Sequence, residues 1–182
     1  TLGAVVEDTS LLDPKYSIGV YTILQRSEVS SNLARFDGVR YGHDRSYFKD
    51  EAKKRMLLGA YTLSSGYYDE YYKKAQKVRT LIVNDFSTAF SKYDLLIGPV
   101  SPGPALKLGA TKDQAMFGEM QDVLLEASSI AGLTSLSVPC GFVDGLPIGL
   151  QLTAAQQQET LVLQAGLAFQ QATDWHQRKP TP

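Results

Sequence analysis

The chain has 182 residues, 43% of them hydrophobic and 20% charged, the composition of a folded domain large enough to bury its own core. Its 18 basic and 19 acidic residues nearly cancel, which excludes a net positive field able to hold nucleic acid or an anionic membrane on charge alone. No apolar run approaches the roughly 20 residues that span a bilayer, and the opening residues lack the basic and long apolar segments of a secretory signal.

Thr1-Leu2-Gly3-Ala4 followed by Val5-Val6 reads as a helix end capped by Gly3 and then a short strand, and with no initiating Met it leads us to expect a start inside a larger protein. Asp13-Pro14 initiates the next element, and the spread of apolar groups over Lys15 to Ser30 predicts a largely buried helix. Ser30 to Gly42 contains two glycines, several cap-forming residues and no sustained period, so a loop with local turns is expected, followed by a polar stretch from His43 to Asp50. Helix formers dominate from Glu51 to about Leu63, and Ser64-Ser65-Gly66 breaks the run.

Beyond that break Tyr71, Ala75, Val78, Ile82, Phe86 and Phe90 recur at intervals of three or four, the apolar stripe of a long amphipathic helix packed on a sheet. Lys73, Lys74, Lys77 and Arg79 fall on its other faces and read as a solvated surface in preference to an RNA contact. Tyr93 to Pro99 has the form of a buried strand opening into a Pro-rich loop, and Met116 to Ile130 that of a helix with Asp122 part-way along it and Gly132 at its end. Two alternating segments, Leu136 to Val143 and Pro147 to Leu152, flank Asp144-Gly145 and predict an antiparallel hairpin. Gln158 to Thr173 should form the last helix. The fold class expected is α/β, a mixed sheet flanked by helices in a single domain over residues 1–182.

Few residues offer chemistry. His43 and His176 have no Gly-x-Ser-x-Gly elbow to serve, which argues against a Ser-His-Asp site. Cys140 is alone, so neither an intrachain disulfide nor a cysteine metal cluster is possible, and it reads as a small buried hydrophobe before it reads as a nucleophile. Lack of disulfides fits a reducing compartment. Neither glycine-rich phosphate motif is present, so ATP is not expected to bind here by those devices. Asp69, Glu70 and Asp85 are expected on an exposed helix face.

Several longer motifs do carry information. The run Ser30-Ser31-Asn32-Leu33-Ala34-Arg35-Phe36-Asp37-Gly38-Val39-Arg40-Tyr41-Gly42, together with Leu63 to Asp69 and Tyr71 to Ile82, closely resembles the amidase-signature family, and within it the A subunits of glutamyl-tRNA(Gln) amidotransferases. Ala131-Gly132-Leu133, Ser137-Val138-Pro139-Cys140-Gly141 and Gly149-Leu150-Gln151-Leu152 resemble amidases more generally. The resemblance implies the C-terminal portion of the amidase-signature fold. It also implies a parent enzyme that hydrolyses glutamine through a Ser-cisSer-Lys triad, in a Gly/Ser-rich region that this chain does not contain. No catalytic residue, metal or cofactor is therefore assigned here. Isolated, the chain is expected to be inactive.

The resemblance further implies that Tyr21, Arg55 and Asp122 recognise the amino-acid end of glutamine. A guanidinium can hold the α-carboxylate bidentately, an aspartate can accept from the α-ammonium, and a phenol adds a directional hydrogen bond. The amidotransferase B and C subunits are the implied partners, with ATP, Mg and Glu-tRNA(Gln) handled by the former, no membrane contact, and a cytoplasmic location or an organellar stroma or matrix. A general amidase, or a non-catalytic binding or scaffold domain, remains the alternative. Two departures from the pattern stand out: a short connection between Tyr41-Gly42 and Lys54-Arg55, and Ser129 and Thr134 in place of the Asn and Pro usual around Ala-Gly-Leu.

Overall fold

The computed structural model describes residues 3–110 and 120–180. Its internal contacts divide the chain into two compact units, residues 1–18 with 82–182 and residues 19–81. Along the chain run α1 (Lys15–Ala34), α2 (Asp50–Thr62), α3 (Lys74–Phe90), β1 (Leu96–Pro99), α4 (Glu126–Ala131), β2 (Thr134–Val143), β3 (Leu146–Ala154) and α5 (Glu159–Ala172). Short 3-10 turns occupy Arg45–Tyr47 and Trp175–Gln177, and a π turn occupies Asp69–Lys73.

The first unit is built on a three-stranded sheet in the order β1-β3-β2, antiparallel at both pairings. Its hairpin closes as the sequence predicts. Asp144 and Gly145 both take left-handed backbone angles, φ 51° and 76°, and this twist matches that of the strands they join. β2 is an edge strand of the described sheet, so Pro139 removes no ladder bond that a further strand would need. The register slips between Pro139 and Gly141, which makes Cys140 the extra residue of a bulge.

Alternation along β3 sends Leu152 and Ala154 to one face and Gln151 and Thr153 to the other. α5 covers the first face. A Cβ placed on Gly166 would come 2.6 Å from Leu136 Cδ2, so the helix backbone lies directly on the strand side chains. Val138, Leu152 and Val162 are buried there, each stabilising the unit by about 1.5–3 kcal/mol relative to exposure. On the second face Gln151 donates through Nε2 to Ser128 Oγ of α4 at 2.9 Å, and the hydroxyls of Ser135 and Thr153 pair at 3.1 Å. α4 ends at Gly132, whose φ of 72° and the bond from Leu133 N to Ser128 O form the expected glycine stop.

The second unit has helices and turns only. α1 and α2 approach so closely that a Cβ on Gly59 would lie 1.9 Å from the Arg26 carbonyl oxygen. Beside that crossing the buried Ser27 hydroxyl bonds both Ile23 O and Thr62 Oγ1 at 2.7 Å. The turn that joins the helices is held from within. Arg45 donates to the carbonyls of Phe36 and Ala34, Asp44 caps Ser46 N at 2.8 Å, and Phe36 packs on Phe48 with ring centres 5.2 Å apart. Gly38 has φ 62° and faces His43 O, which no larger residue could do.

Four expectations need correction. Val5 and Val6 are extended and largely exposed but pair with no strand among the described residues. Two apolar residues without a partner edge cannot hold one. Residues 30–34 continue α1 instead of opening a loop, because no breaker precedes Phe36. The long helix begins with a π turn, Lys73 N reaching back to Tyr68 O, which leaves Tyr71 on the surface while Ala75, Ile82 and Phe86 are buried. Finally, residues 120–121 are helical but 122–125 form turns, so the expected helix is interrupted before α4; its earlier part, 116–119, lies outside the described residues.

Candidate functional site

Arg55 lies in the second turn of α2, which places it one turn after Glu51 and on the side of the helix that also carries Gly59. Its Nε donates to Glu51 Oε1 at 2.8 Å, and its side chain is 27% exposed, whereas that of Glu51 is 60% exposed. Tyr21, half-buried on α1, meets the same guanidinium through its phenol. The Glu51 hydrogen bond raises the Arg55 pKa, with partial burial opposing it and Tyr21 adding a smaller contribution in the same direction as Glu51. Glu51 responds in kind: its carboxyl is held below the usual range by the Arg55 hydrogen bond, and Lys54 and Arg26 lower it further. Both groups are thus charged at neutral pH.

The structure therefore brings together two of the three residues expected to recognise substrate. Asp122 belongs to the first unit, where it is exposed in the turns that precede α4. Its backbone carbonyl accepts from Leu125 N at 2.8 Å and Glu126 N at 3.1 Å, so its own backbone is well anchored. Glu51 was not among the candidates, although Glu-Ala-Lys-Lys-Arg is a readable i,i+4 pair. Gly59 and the Ser27–Thr62 bridge, which set the spacing between Tyr21 and Arg55, leave no comparable signal.

Local charge favours an anionic ligand in this unit. Residues 19–81 hold twelve Lys and Arg against seven Asp and Glu, and the remaining residues hold six against twelve. The near-zero total conceals that division.

The first unit contains a cleft of about 190 Å³, walled by Leu11, Ile82, Phe86, Leu96 and Leu124 with Gln151 at its polar end. Asp85 Oδ2 accepts from Leu12 N at 2.7 Å, which ties the N-terminal segment to α3 along one wall. The cleft is mostly apolar, and its polar groups are engaged elsewhere: Asp85 by Leu12 N, and the Ser17 and Ser128 hydroxyls by the carbonyls of Pro14 and Leu125.

Cys140 is half-buried, its Sγ 3.7 Å from Ile148 O, and burial pushes its thiol pKa up. A protonated thiol is a poor nucleophile. His43 stacks on Tyr47 with ring centres 4.0 Å apart, and His176 lies beside Gln177 in the C-terminal turn. Among the described residues no three His, Cys, Asp or Glu are placed to hold a metal ion, and no helix is long and apolar enough to cross a membrane.

Comparison with known proteins gives this geometry a context. The chain is 47% identical to the A subunit of the glutamyl-tRNA(Gln) amidotransferase of Geobacillus kaustophilus over 194 residues, a match that covers 98% of this chain and 40% of that protein. An aligned length greater than the 182 residues here means that the relative carries extra residues within the match. The crystal structure of the glutamyl-tRNA(Gln) amidotransferase A subunit from Thermotoga maritima superposes with a TM-score of 0.71 at 32% identity, covering 94% of this chain and 35% of that one. A crystal structure described as an amidase superposes at 0.75 with 25% identity, covering 94% of this chain and 38% of that one. The chain thus spans well under half the length of these relatives. Its fold is theirs, and the family model for amidases matches residues 1–163, so the chain belongs to the amidase family.

Proposed function

We propose that this chain is the C-terminal, glutamine-recognising part of the glutaminase subunit of a glutamyl-tRNA(Gln) amidotransferase. The observation that carries the reading is 47% identity sustained over 98% of the chain to the A subunit of such an enzyme. The charged Arg55, held between Glu51 and Tyr21 in a unit rich in basic residues, supplies chemistry suited to an amino-acid carboxylate. Asp122 supplies an exposed carboxylate for the α-ammonium.

In this reading the nucleophile and its serine and lysine relay lie in the part of the protein outside this chain. Glutamine hydrolysis there releases ammonia, which the B subunit uses to amidate ATP-activated Glu-tRNA(Gln), with Mg held by that partner and the C subunit making up the third component. The setting is the cytoplasm or an organellar stroma or matrix. A general amidase is the second reading, favoured by the TM-score of 0.75 to an amidase structure. It is set below the first because identity to the amidotransferase subunits is higher in both sequence and structure comparisons.

The test is an assay of the complete enzyme, assembled from all its subunits. Glutamine-dependent formation of Gln-tRNA(Gln) is expected, whereas the 182-residue chain alone should release no ammonia from glutamine. Amide hydrolysis without any preference for glutamine would transfer the chain to the second reading, and turnover by the rigorously purified chain alone would contradict the placing of the catalytic residues.

A further inference from the structure

Arg55 binds a carboxylate bidentately at less cost when its guanidinium plane is already fixed, because a free arginine side chain samples many rotamers and loses that freedom on binding. Here the plane is already constrained. Glu51 Oε1 accepts from Nε at 2.8 Å, which occupies the inner edge of the guanidinium and sets its rotation about the last side-chain bonds. Tyr21 meets the same group from α1. Five N–H donors are available to an arginine, so the two terminal nitrogens keep hydrogens to offer in parallel.

Two effects of Glu51 oppose each other. It orders the guanidinium, and it places a negative charge near an incoming anion. At 60% exposure that charge is heavily screened by solvent from an incoming anion, whereas its hydrogen bond is made to a guanidinium only 27% exposed. Ordering a side chain this flexible is the larger contribution. The same unit sets the position of the pair: Gly59 lets α2 lie against the α1 backbone at Arg26, and Thr62 is bonded to Ser27, one and two turns beyond Arg55 on the same side of α2.

We propose that Glu51 is a positioning residue for substrate recognition, which holds Arg55 with its two terminal nitrogens ready for the α-carboxylate of an amino-acid amide. This inference rests on the glutamine-recognising role proposed for Arg55. Glu51 touches no reacting atom, so its removal acts on ground-state binding and leaves the chemical step intact.

The experiment is steady-state glutaminase kinetics of the complete, assembled enzyme carrying Glu51→Ala, Glu51→Gln or Arg55→Ala, with thermal unfolding of each variant as a control for folding. Glu51→Ala is expected to raise KM for glutamine roughly 3- to 10-fold with kcat within about twofold. Glu51→Gln keeps an oxygen acceptor opposite Nε and should restore KM to within about twofold of the parent, although it removes the same charge from the first turn of α2 as Ala does. A KM that is unchanged or lowered in Glu51→Ala while Arg55→Ala raises it overturns the positioning role alone. If Arg55→Ala leaves KM unchanged, the recognition role of Arg55 fails with it. Equal KM increases in Glu51→Ala and Glu51→Gln would show that charge matters and orientation does not, which also overturns the proposal.

Discussion

Each of the two units is held internally by a different kind of information. In the sheet unit, packing is spread over many contacts: Asp144-Gly145 turns the hairpin, and Val138, Leu152 and Val162 close the face under α5. In the helical unit a few points decide the geometry, namely the bare backbone at Gly59, the Ser27–Thr62 bridge and the Arg45 hold on two carbonyls. Side-chain packing can yield at a single overfilled point, whereas a backbone-to-backbone contact such as that at Gly59 has no flexible partner to move. The residues proposed to read substrate are divided between these units, with the charged pair in the more sensitive one.

The largest effect is therefore expected at Gly59. A Cβ 1.9 Å from a carbonyl oxygen has no room, and the oxygen belongs to helix backbone, so Gly59→Ala should cost at least about 3 kcal/mol in urea unfolding despite the better helix propensity of alanine. A cost near zero would mean that α1 and α2 are not in that contact. At Gly166 the obstacle is the end of a leucine side chain, which can move, so Gly166→Ala should cost only about 1–2 kcal/mol. Reversal of that order would break the contrast between the units.

Smaller effects sharpen it. Ser27→Ala removes the bond to Thr62, but Thr62 Oγ1 keeps its own bond to Gly59 O at 2.9 Å; a loss of about 1 kcal/mol is expected. In the tyrosine group of this unit, Tyr61 contacts Tyr67 and Tyr71, and its phenol pKa is pushed up to about 12 chiefly by a hydrogen bond with Tyr67. Ultraviolet titration should show a tyrosine ionising at about 12 that returns to the ordinary range in Tyr67→Phe. In the other unit Cys140→Ser should change stability by less than about 1 kcal/mol. Alkylation of Cys140 at neutral pH should be slow, because burial raises its pKa and keeps the thiol protonated.

Acid provides the weakest probe. The folded pKa of Glu51 lies below its unfolded value, so its contribution is complete above the ordinary glutamate range and is lost as pH falls through the folded value. With Glu51 mostly in solvent the change should be slight, visible as a small difference between parent and Glu51→Gln on acid titration.

Local patterns in the sequence carried most of the fold. The hairpin dipeptide, the Ser64-Ser65-Gly66 break, the Gly132 stop and the periodic stripe through Ala75, Ile82 and Phe86 each announce their element within a few residues. Less was legible where the cause is distant. The need for glycine at position 59 comes from a carbonyl 33 positions earlier, and Val5-Val6 has strand character without an edge to pair with. The π turn at Asp69–Lys73 likewise has no period of its own to read. At the candidate site, residue chemistry suggested what Arg55 could bind and its i,i+4 spacing from Glu51 was readable, but the approach of Tyr21 to the guanidinium required the helix pair.

Recognition of a free amino-acid amide by this chain is tested most directly by the kcat/KM of the assembled enzyme for glutamine against an analogue in which the α-carboxylate is replaced by hydrogen. A preference of roughly 100-fold or more for glutamine is expected, as for loss of one charge-assisted bidentate contact, and it should largely disappear in Arg55→Ala. Equal turnover of the two substrates by the parent enzyme, or a preference that survives intact in Arg55→Ala, would contradict that role for the chain.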